Sequence, residues 1–525
     1  MEIPATPRKR ARFEEDTSRR LSPVDAAFLY LERKEIPLAI ASVFIFDGPI
    51  SFDQFLATIA SRLHLIPRYR QVVVMPPYNL EYPTWEDDPH FDIRRHIFRV
   101  MVDAPGGEAE LETLAGRIFS QLLDRSKPLW ECYVVEGLQD GRGAVIVRVH
   151  HSLADGIAGV GLVNMLLDTS PEGTVVLQQR RRRRRKSPPA PSLIDAVANA
   201  IDTSLEGLMT AEGALLSLAQ SLLSDPARVK DLACALPEFA ASVERLPFNK
   251  PCTGDRKFCW AQFDIADMTV IRDKAGATIN DVILAVLTCA LTRYVKLHGQ
   301  TVVNRYVRIV CPVNLRHGEP NGALGNQISF MPVALPLDVS DPLRMLKGVV
   351  ARTEAMKRGQ AADLVALVAS CMAAAPPPLQ ALFWWGIPQI TLPVPLFNMI
   401  CTNVPGSRVP LYSVGRRLIA AYPQVPTGYE LGINVAVQSY DNKLFFGLIA
   451  DAHVAPDVGR LRDFLYVSFR ELCRSAGIKR PRKARVHATK SHPVKVAPAV
   501  AAEPESGQHK DGQSAIELSP HEAVA

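Results

Sequence analysis

The sequence predicts an α/β protein made of two lobes. Its 525 residues exceed the roughly 250–300 at which a single hydrophobic core stops growing. Apolar residues make up 47% of the chain, which is enough to fill two cores. A strand, a loop and a helix are predicted in succession over residues 144–167, and helices alternate with strands over residues 278–475. We therefore expect both lobes to combine strands with helices.

Charge, proline content and apolar patterning predict where the lobes begin and end. Residues 1–20 are polar and charged, and residues 479–525 are rich in Lys, Arg, Pro, Ala and Glu, so we expect both ends to be disordered. Between them the pattern predicts an N-terminal lobe over residues 21–178 and a C-terminal lobe over residues 251–478. Residues 179–250 are expected to form an Arg-rich linker with connecting helices.

A hairpin is predicted in the first lobe. Trp130–Glu136 is rich in aromatic and β-branched residues, Asp140-Gly141 is typical of a turn, and Ala144–Val149 is an almost continuous apolar run. Side chains alternate between the two faces of a strand. If that alternation continues past Val149, His150 and His151 point in opposite directions, and they cannot perform the same task.

The segment His150-His151-Ser152-Leu153-Ala154-Asp155-Gly156 directly follows this strand. An imidazole can take up a proton near neutral pH, and a nearby carboxylate can hold the ring in place. Apolar residues at helical spacing continue to Leu167, so Asp155 lies near the start of a predicted helix, where it either caps the helix or orients the loop. The competing interpretation is a loop in which both imidazoles only bind backbone groups.

The second lobe is predicted to be α/β as well. Asn280 and Asp281 stand at the start of its first predicted helix, where capping is the usual role of such residues. The predicted elements are a helix over Thr278–Val295, a strand over Val307–Val313, a helix over Pro342–Lys357, a buried strand over Leu396–Asn403, a hairpin of Gly432–Ser439 with Leu444–Ala450, and a final helix from Asp457 to Ser475.

Cysteine usage and the N-terminal residues indicate the cellular setting. The nine cysteines are an odd number, scattered without a C-x-x-C pair or a neighbouring His/Asp cluster, which argues against a disulfide framework and a structural zinc site. A reducing, cytoplasmic setting is the natural expectation. The first sixteen residues have charges but no apolar core segment, so we expect no signal peptide.

Six consecutive arginines, Arg180–Arg185, followed by Lys186, form a basic strap. The strap is predicted to be either a solvated linker or a segment attracted to an anionic membrane, which is worth about 1 kcal/mol for each basic residue near the surface. Nucleic-acid binding is disfavoured, because it would need a folded recognition motif or interleaved aromatic residues.

Residues 364–407 contain no charged residue. A membrane-spanning helix needs about 20 continuous apolar residues, and Pro376–Pro378 with the later prolines break this run. We therefore predict that it does not cross a bilayer. For the adjacent Trp384 and Trp385, packing in the core is favoured slightly over resting in a lipid interface.

Several motifs together resemble one enzyme family. The segment HHSLADG at residues 150–156 matches the HHxxxDG signature of the acyl-CoA-dependent acyltransferases related to chloramphenicol acetyltransferase and to peptide-synthetase condensation domains. Within that superfamily, further blocks resemble the bacterial wax ester synthase/diacylglycerol acyltransferases, in the family's order. These blocks are Leu21–Phe28, Pro128–Trp130, Asn280-Asp281, Pro312–Arg316, Asn403–Gly406 and Leu431–Asn434. Cys401 and the Arg-rich strap depart from the family pattern.

The resemblance implies a fold and a set of site residues. It implies two lobes like chloramphenicol acetyltransferase, each a mixed sheet with flanking helices, and an active tunnel at their interface. His151 is then the general base, His150 supports it, and Asp155, followed by Gly156, orients the loop. Our candidate partner for Asp155 is the Arg68 or Arg70 guanidinium, and Asn280 with Asp281 is expected near the substrate channel.

The resemblance also implies an activity. We expect an O-acyltransferase that moves a long-chain acyl group from acyl-CoA to diacylglycerol, to a fatty alcohol or to both. Direct transfer is favoured, because the sequence has no G-x-S-x-G nucleophile motif. No metal or cofactor is expected beyond acyl-CoA as substrate. The expected location is cytoplasmic, peripherally attached to the inner membrane face or to lipid bodies.

Two alternatives stay open at this point. One is an acyltransferase of the same superfamily that acts on another alcohol or an amine, although nothing in the sequence resembles the carrier-protein module of a peptide synthetase. The other is a lipid-binding or lipid-body protein that kept the fold and lost the activity, against which an intact His151 argues.

Overall fold

Two mixed β-sheets organise the part of the chain that the structure describes. The structure is a computed structural model. The predicted disordered ends (apart from residues 19–20), the Arg-rich strap, and Asp155 with Gly156 lie outside the described residues. The described residues are 19–153, 166–173, 193–224, 228, 230–231, 233, 243–314, 328–359, 367–368, 371–372, 374–391 and 393–478.

The secondary structure alternates between helices and strands in both halves. In chain order the first half contains α1 (Pro23–Leu31), β1 (Ala39–Phe46), α2 (Phe52–Arg62), β2 (Gln71–Val74), β3 (Thr84–Asp87), β4 (Ile97–Met101), α3 (Glu108–Phe119), β5 (Trp130–Glu136), β6 (Gly143–His150) and α4 (Leu193–Ser224). The second half contains β7 (Arg256–Asp264), α5 (Ile265–Ala275), α6 (Ile279–Leu297), β8 (Tyr306–Asn314), β9 (Ile328–Pro336), α7 (Pro342–Arg358), α8 (Pro377–Gly386), β10 (Met399–Val404), β11 (Tyr412–Ser413), β12 (Arg416–Gln424), β13 (Ile433–Tyr440), β14 (Lys443–Asp451) and α9 (Val458–Ser475).

In the described part of the chain, two sheets have six strands each. The order is β11-β12-β1-β6-β5-β4 in the first sheet and β7-β14-β13-β10-β8-β9 in the second, with a separate two-stranded β2-β3 ribbon. Strand β4 is parallel to β5 in the first sheet, and β10 is parallel to β13 and β8 in the second, while the other pairs are antiparallel. The predicted α/β class with two mixed sheets is therefore confirmed.

The predicted hairpin of the first lobe is present. Strands β5 and β6 pair antiparallel, with Trp130 opposite Val149, and every residue of β6 is buried. Even Arg148 is buried, and it is satisfied there because its guanidinium binds Glu131 at 2.6 Å and the Gln121 carbonyl at 2.6 Å. Burial on both faces explains why this strand reads as a continuous apolar run.

Two strands from the second half of the sequence complete the first sheet. Strand β12 pairs antiparallel with β1, with Ala41 opposite Gln424, and β11 pairs with β12. Strand β12 passes so close to β14 that a Cβ at Gly447 would lie 1.8 Å from the Pro423 carbonyl oxygen. Only glycine fits there. The boundaries predicted from composition assign β11 and β12 to the C-terminal lobe, whereas both strands pair within the first sheet.

The predicted elements of the second lobe are observed with their ends within three residues of the predicted positions. The first of the predicted helices, α6, begins after Thr278, whose hydroxyl accepts the Asp281 N–H while the Asp281 carboxylate accepts the Thr278 N–H. This reciprocal cap satisfies two backbone donors that the helix itself leaves unpaired. The hairpin predicted from Gly432–Ser439 and Leu444–Ala450 is present, and it turns at Asp441 and Asn442, both with positive φ.

The Trp pair lies on α8, and the prediction that both indoles pack in the core is wrong for Trp385. Trp384 packs partly against the core of the first sheet, whereas Trp385 is 57% exposed. Consecutive residues of a helix point about 100° apart. A helix that packs on one side therefore cannot bury two adjacent indoles equally.

A buried ion pair connects distant segments. Arg256 at the start of β7 contacts Asp451 at the end of β14, with Nη1 and Oδ2 2.9 Å apart and 2% or less of either side chain exposed. The second amino group of Arg256 donates to the carbonyls of Glu35 at 3.0 Å and Thr427 at 2.7 Å. The guanidinium thus joins the second sheet to the loop before β1 and to the loop between β12 and β13.

Among the described residues, no single helix has the length and apolar character that a membrane span requires. One bent pair, α5 with α6, passes by length and composition, with a 100° angle between its helices.

Candidate active site

The two histidines lie where β6 ends and a short 3₁₀ turn, His151–Leu153, begins. The backbone N–H of His150 donates to the Leu129 carbonyl at 2.9 Å, and that of His151 donates to the Leu38 carbonyl at 3.0 Å. These bonds tie the histidines to the segments that lead into β5 and β1. His150 is fully buried and His151 is half-buried. The different surroundings agree with the expectation that the two rings have different tasks.

His150 is held at both ring nitrogens. Its Nδ1 accepts the Ser152 backbone N–H at 3.1 Å and lies 2.6 Å from the Ser152 hydroxyl. Since Nδ1 accepts that amide proton, we assign the ring proton to Nε2. Nε2 lies 3.3 Å from Oε1 of Glu32. Ser152 thus sets the tautomer, and the Glu32 carboxylate lies within ion-pair distance of the opposite ring nitrogen.

Glu32 is a buried carboxylate at the C-terminal end of α1. Only 2% of its side chain is exposed. It accepts the Leu38 N–H at 3.1 Å and an Arg125 guanidinium N–H at 3.1 Å. Burial alone would raise its pKa, but His150, the Leu38 amide and Arg125 together hold the pKa of Glu32 below its usual value. Glu32 therefore stays ionised beside His150.

His151 has the properties of a neutral base. Its ring stacks on Phe28 of α1, with centroids 3.9 Å apart and planes 20° apart. Burial, and secondly the nearby His150, lower the pKa of His151 to about 4. The ring is therefore uncharged at neutral pH, the form that can accept a proton. Within the described part of the chain, its buried Nδ1 has no hydrogen-bond partner.

The C-terminal part of the motif, which contains Asp155 and Gly156, lies outside the described residues. The roles predicted for these two residues therefore stay predictions. Where the described chain resumes, Asp168 binds Arg62 of α2 at 2.6 Å, with both side chains 5% exposed. Asp168 also exchanges two backbone hydrogen bonds with Tyr412, at 2.7 and 2.8 Å. The segment that follows the motif is thus anchored to α2 and to β11.

The two arginines predicted to pair with Asp155 have other contacts in the structure. Arg68 donates to Gln71 at 3.0 Å and lies 5.1 Å from the ring centroid of Trp85. Arg70 lies 5.5 Å from the ring centroid of Phe91. Pairing of either arginine with Asp155 stays a prediction.

Asn280 and Asp281 have contacts that hold helices together. Asp281 is 2% exposed; besides capping α6 it accepts a hydrogen bond from the Thr353 hydroxyl of α7 at 2.7 Å. Asn280 accepts from the side-chain amide of Asn403, at the end of β10, at 2.6 Å. These contacts give Asp281 the capping role and join two of the recognised sequence blocks. A position near the substrate channel stays a prediction for both residues.

Sequence reasoning missed three side chains around the histidines: Glu32, Arg125 and Phe28. Glu32 and Phe28 lie in or just after the block that begins at Leu21, but a carboxylate after an apolar helix gives no sign that it is buried. Their role depends on α1 packing against the His151–Leu153 turn, a contact between segments far apart in sequence.

The described residues contain neither a cluster suited to a metal ion nor a disulfide. No group of three or more His, Cys, Asp or Glu side chains there is arranged to hold a metal ion. The eight cysteines that the structure describes are free thiols.

Comparison with known proteins gives matches along nearly the whole chain. The model of the wax ester synthase/diacylglycerol acyltransferase catalytic domain matches residues 21–283, and that of the C-terminal domain of the same family matches residues 324–473. A probable diacylglycerol O-acyltransferase of Mycobacterium tuberculosis (strain ATCC 25618 / H37Rv) is 30% identical over 454 residues, which cover 84% of this chain and 93% of that protein. A putative diacylglycerol O-acyltransferase of the same strain is 29% identical over 480 residues, covering 86% and 90%.

Solved structures share the fold. A wax ester synthase/diacylglycerol acyltransferase from Marinobacter aquaeolei VT8 superposes with a TM-score of 0.59 and 24% identity, covering 87% of this chain and 100% of that one. The first condensation domain of the CDA synthetase superposes with a TM-score of 0.51 and 14% identity, covering 87% and 97%. At these identities the likeness concerns the fold.

Proposed function

This chain belongs to the wax ester synthase/diacylglycerol acyltransferase family, and from that premise we propose that His151 is the general base of its acyl transfer. The chain is an acyl-CoA-dependent O-acyltransferase. Its acceptor is a diacylglycerol, a long-chain alcohol or both, and its donor is a long-chain acyl-CoA. One observation carries the assignment of the base: the His151 imidazole lies at the end of β6 and stacks on Phe28. Burial lowers its pKa, which favours the neutral form that accepts a proton.

The proposed reaction is a single direct transfer. A hydroxyl is a poor nucleophile until its proton is removed, so His151 takes that proton as the alcohol oxygen attacks the thioester carbonyl. The new carbon–oxygen bond forms, the carbon–sulfur bond breaks, and the imidazolium returns the proton to the departing coenzyme A sulfur. Donor, acceptor and His151 account for every proton and electron pair. We therefore propose that no further cofactor takes part.

His150 has a positioning role in this proposal. Its ring is locked between Ser152 and Glu32, and its backbone continues directly into the turn that bears His151. Small displacements of a catalytic group are costly, since about 1 Å can lower a rate by about 10²-fold. The ionised Glu32 thus acts on the reaction through the geometry of the turn.

Replacing Glu32 by glutamine is expected to lower kcat by about 10- to 100-fold while KM changes little, because the amide keeps the volume but loses the charge that holds His150. Steady-state kinetics with a fixed alcohol would measure this. Glu354→Gln, on the exposed side of α7, is the matched control and should behave like wild type. An unchanged kcat in Glu32→Gln would contradict the positioning role.

The pH dependence should reflect the low pKa of His151. An ordinary histidine, with a pKa of about 6.5, would lose half its activity as a base at that pH. Because the pKa of His151 is lowered to about 4, protonation should remove the base only at more acidic pH. We expect kcat/KM to stay level on lowering the pH from about 8 to 6 and to fall as it approaches about 4. Circular dichroism at each pH is the control for unfolding, and a midpoint near 6.5 in folded protein would contradict the proposal.

An acyl-transfer assay tests the function itself. The purified full chain is mixed with labelled acyl-CoA and either diacylglycerol or a fatty alcohol, and labelled ester and free thiol are both measured. Ester and thiol formed in equal amounts support the proposal. Thiol without ester would indicate hydrolysis, an amide formed from an added amine would indicate the other acyltransferase class, and no turnover with any acceptor would favour the inactive lipid-binding protein.

We also propose a peripheral location on the inner membrane face or on lipid bodies. The acceptors and products of the proposed reaction are nearly insoluble in water, so the enzyme must collect and release them at a lipid surface.

A further inference from the structure

An exposed apolar surface surrounds α8. We define the α8 surface by Leu382 (63% exposed), Trp385 (57%), Leu379, Phe383, Ile390 and the nearby Tyr78. Tyr78 belongs to it because α8 packs on the turn Pro77–Asn79. Large exposed apolar side chains concentrated on one helix and the turn beside it favour a binding surface, because large apolar patches are uncommon on soluble monomers.

The charges around this surface favour a lipid partner. The surrounding segment 364–407 carries no charged residue. Two guanidinium groups lie beside this segment. Arg33 donates to the Trp385 carbonyl at 2.6 Å. Arg245 donates to the Pro393 carbonyl at 3.0 Å and also pairs with Glu430. An apolar centre with indole and phenol groups and a basic rim matches the polarity of a phospholipid surface.

The α8 surface is connected to the catalytic turn by one helix. Helix α8 packs on α1, and α1 packs on the His151–Leu153 turn. On that helix Phe28 stacks directly on His151. Helix α1 therefore contacts both the exposed apolar surface and the proposed base.

We propose that the α8 surface is the face on which this enzyme rests on a phospholipid membrane. The inference builds on the proposed function, because an enzyme for water-insoluble acceptors gains by placing its active site next to the lipid that holds them. Exposed Trp and Tyr rings settle at the headgroup level, and apolar side chains insert about 5–10 Å into the boundary. The segment 364–407 supplies no charged side chain, and charged side chains would be needed to pair with those of a polar protein partner.

Tryptophan fluorescence gives a direct test, because the five tryptophans differ strongly in exposure. Trp85, Trp130 and Trp260 are buried, and Trp384 is partly buried, so Trp385 is the indole that a membrane would cover. Adding phosphatidylcholine vesicles to the full chain should shift the emission to the blue and protect it from a water-soluble quencher. Trp385→Phe should remove most of that shift. A shift that persists in Trp385→Phe would overturn the proposal.

Vesicle flotation measures the binding itself. The double variant Leu382→Asp/Trp385→Asp should bind phosphatidylcholine vesicles at least about 10-fold more weakly than wild type. Val303→Asp places the same charge at a 65% exposed site in the loop before β8, and it should bind like wild type. Equal binding by the double variant, or equal loss in the control, would overturn the proposal.

Salt dependence and molecular size distinguish binding through the α8 surface from attachment by basic segments and from dimerisation. Binding that persists at 0.5 M salt supports the apolar face, whereas binding abolished by salt would assign attachment to basic segments and overturn the proposal. If size-exclusion chromatography shows a dimer and the double variant is a monomer, the surface is a contact between two copies. That result would also overturn the proposal. Transfer by the wild-type chain to a short water-soluble alcohol, without vesicles, tests the proposed function separately.

Discussion

Replacing His151 by alanine is expected to lower kcat by about 10²–10⁴-fold, the usual contribution of a general base. The alcohol would then have to lose its proton to water while it attacks the thioester. KM should change less, because a small ring is removed and the bulk of a long-chain substrate binds elsewhere. Labelled ester and free thiol, measured together, report the loss.

Two comparisons make this result interpretable. His90→Ala removes an exposed imidazole at a site unrelated to the turn and should keep wild-type activity. Thermal unfolding of His151→Ala should show a folded protein, since His151 lies in the turn after β6 and part of the residue is exposed. Thiol release at the wild-type rate from folded His151→Ala would exclude the assigned base.

The largest expected effect on stability comes from Arg256. Replacing it by methionine should lower the free energy of unfolding by about 3–5 kcal/mol, because the buried carboxylate of Asp451 would lose its partner. Asp451 would keep four backbone N–H donors, from Thr253, Gly254, His453 and Val454, but no charge of opposite sign. Denaturant unfolding of the full chain is the measurement.

Two variants serve as comparisons for the Arg256 result. Arg272→Met breaks an exposed pair with Asp273 and should cost at most about 1 kcal/mol. Arg256→Met/Asp451→Leu removes both buried charges, so it should be less destabilised than the sum of the two single variants. A loss in Arg256→Met no larger than that in Arg272→Met would refute the role assigned to the pair.

Elements with a local signature could be predicted from the sequence. The hairpin of β5 and β6 follows from two apolar runs and an Asp-Gly turn, and α6 follows from its spacing and from Thr278 with Asp281 at its start. His150 and His151 could be identified as candidate site residues because they directly follow one apolar strand. In each case the residues that decide the structure are neighbours in the sequence.

Contacts between distant segments could not be predicted in this way. Glu32 meets His150, and Arg62 meets Asp168, only after the chain has folded. The joining of β12 to β1 depends on backbone pairing, which leaves no trace in composition. Trp385 differs from Trp384 only through the side of α8 that meets the core, and an aromatic pair looks the same in sequence whichever ring is covered.

Strands β11 and β12 come from the second half of the sequence but belong to the first sheet, and this limits where the chain can be divided. A fragment that stops before Tyr412 would expose the backbone donors and acceptors of β1 that β12 otherwise pairs, and bare edges of this kind promote aggregation. Chimeras with a relative should therefore transfer residues 412–424 together with the N-terminal half. Dividing the chain at the Arg-rich linker would separate β11 and β12 from the other strands of the first sheet.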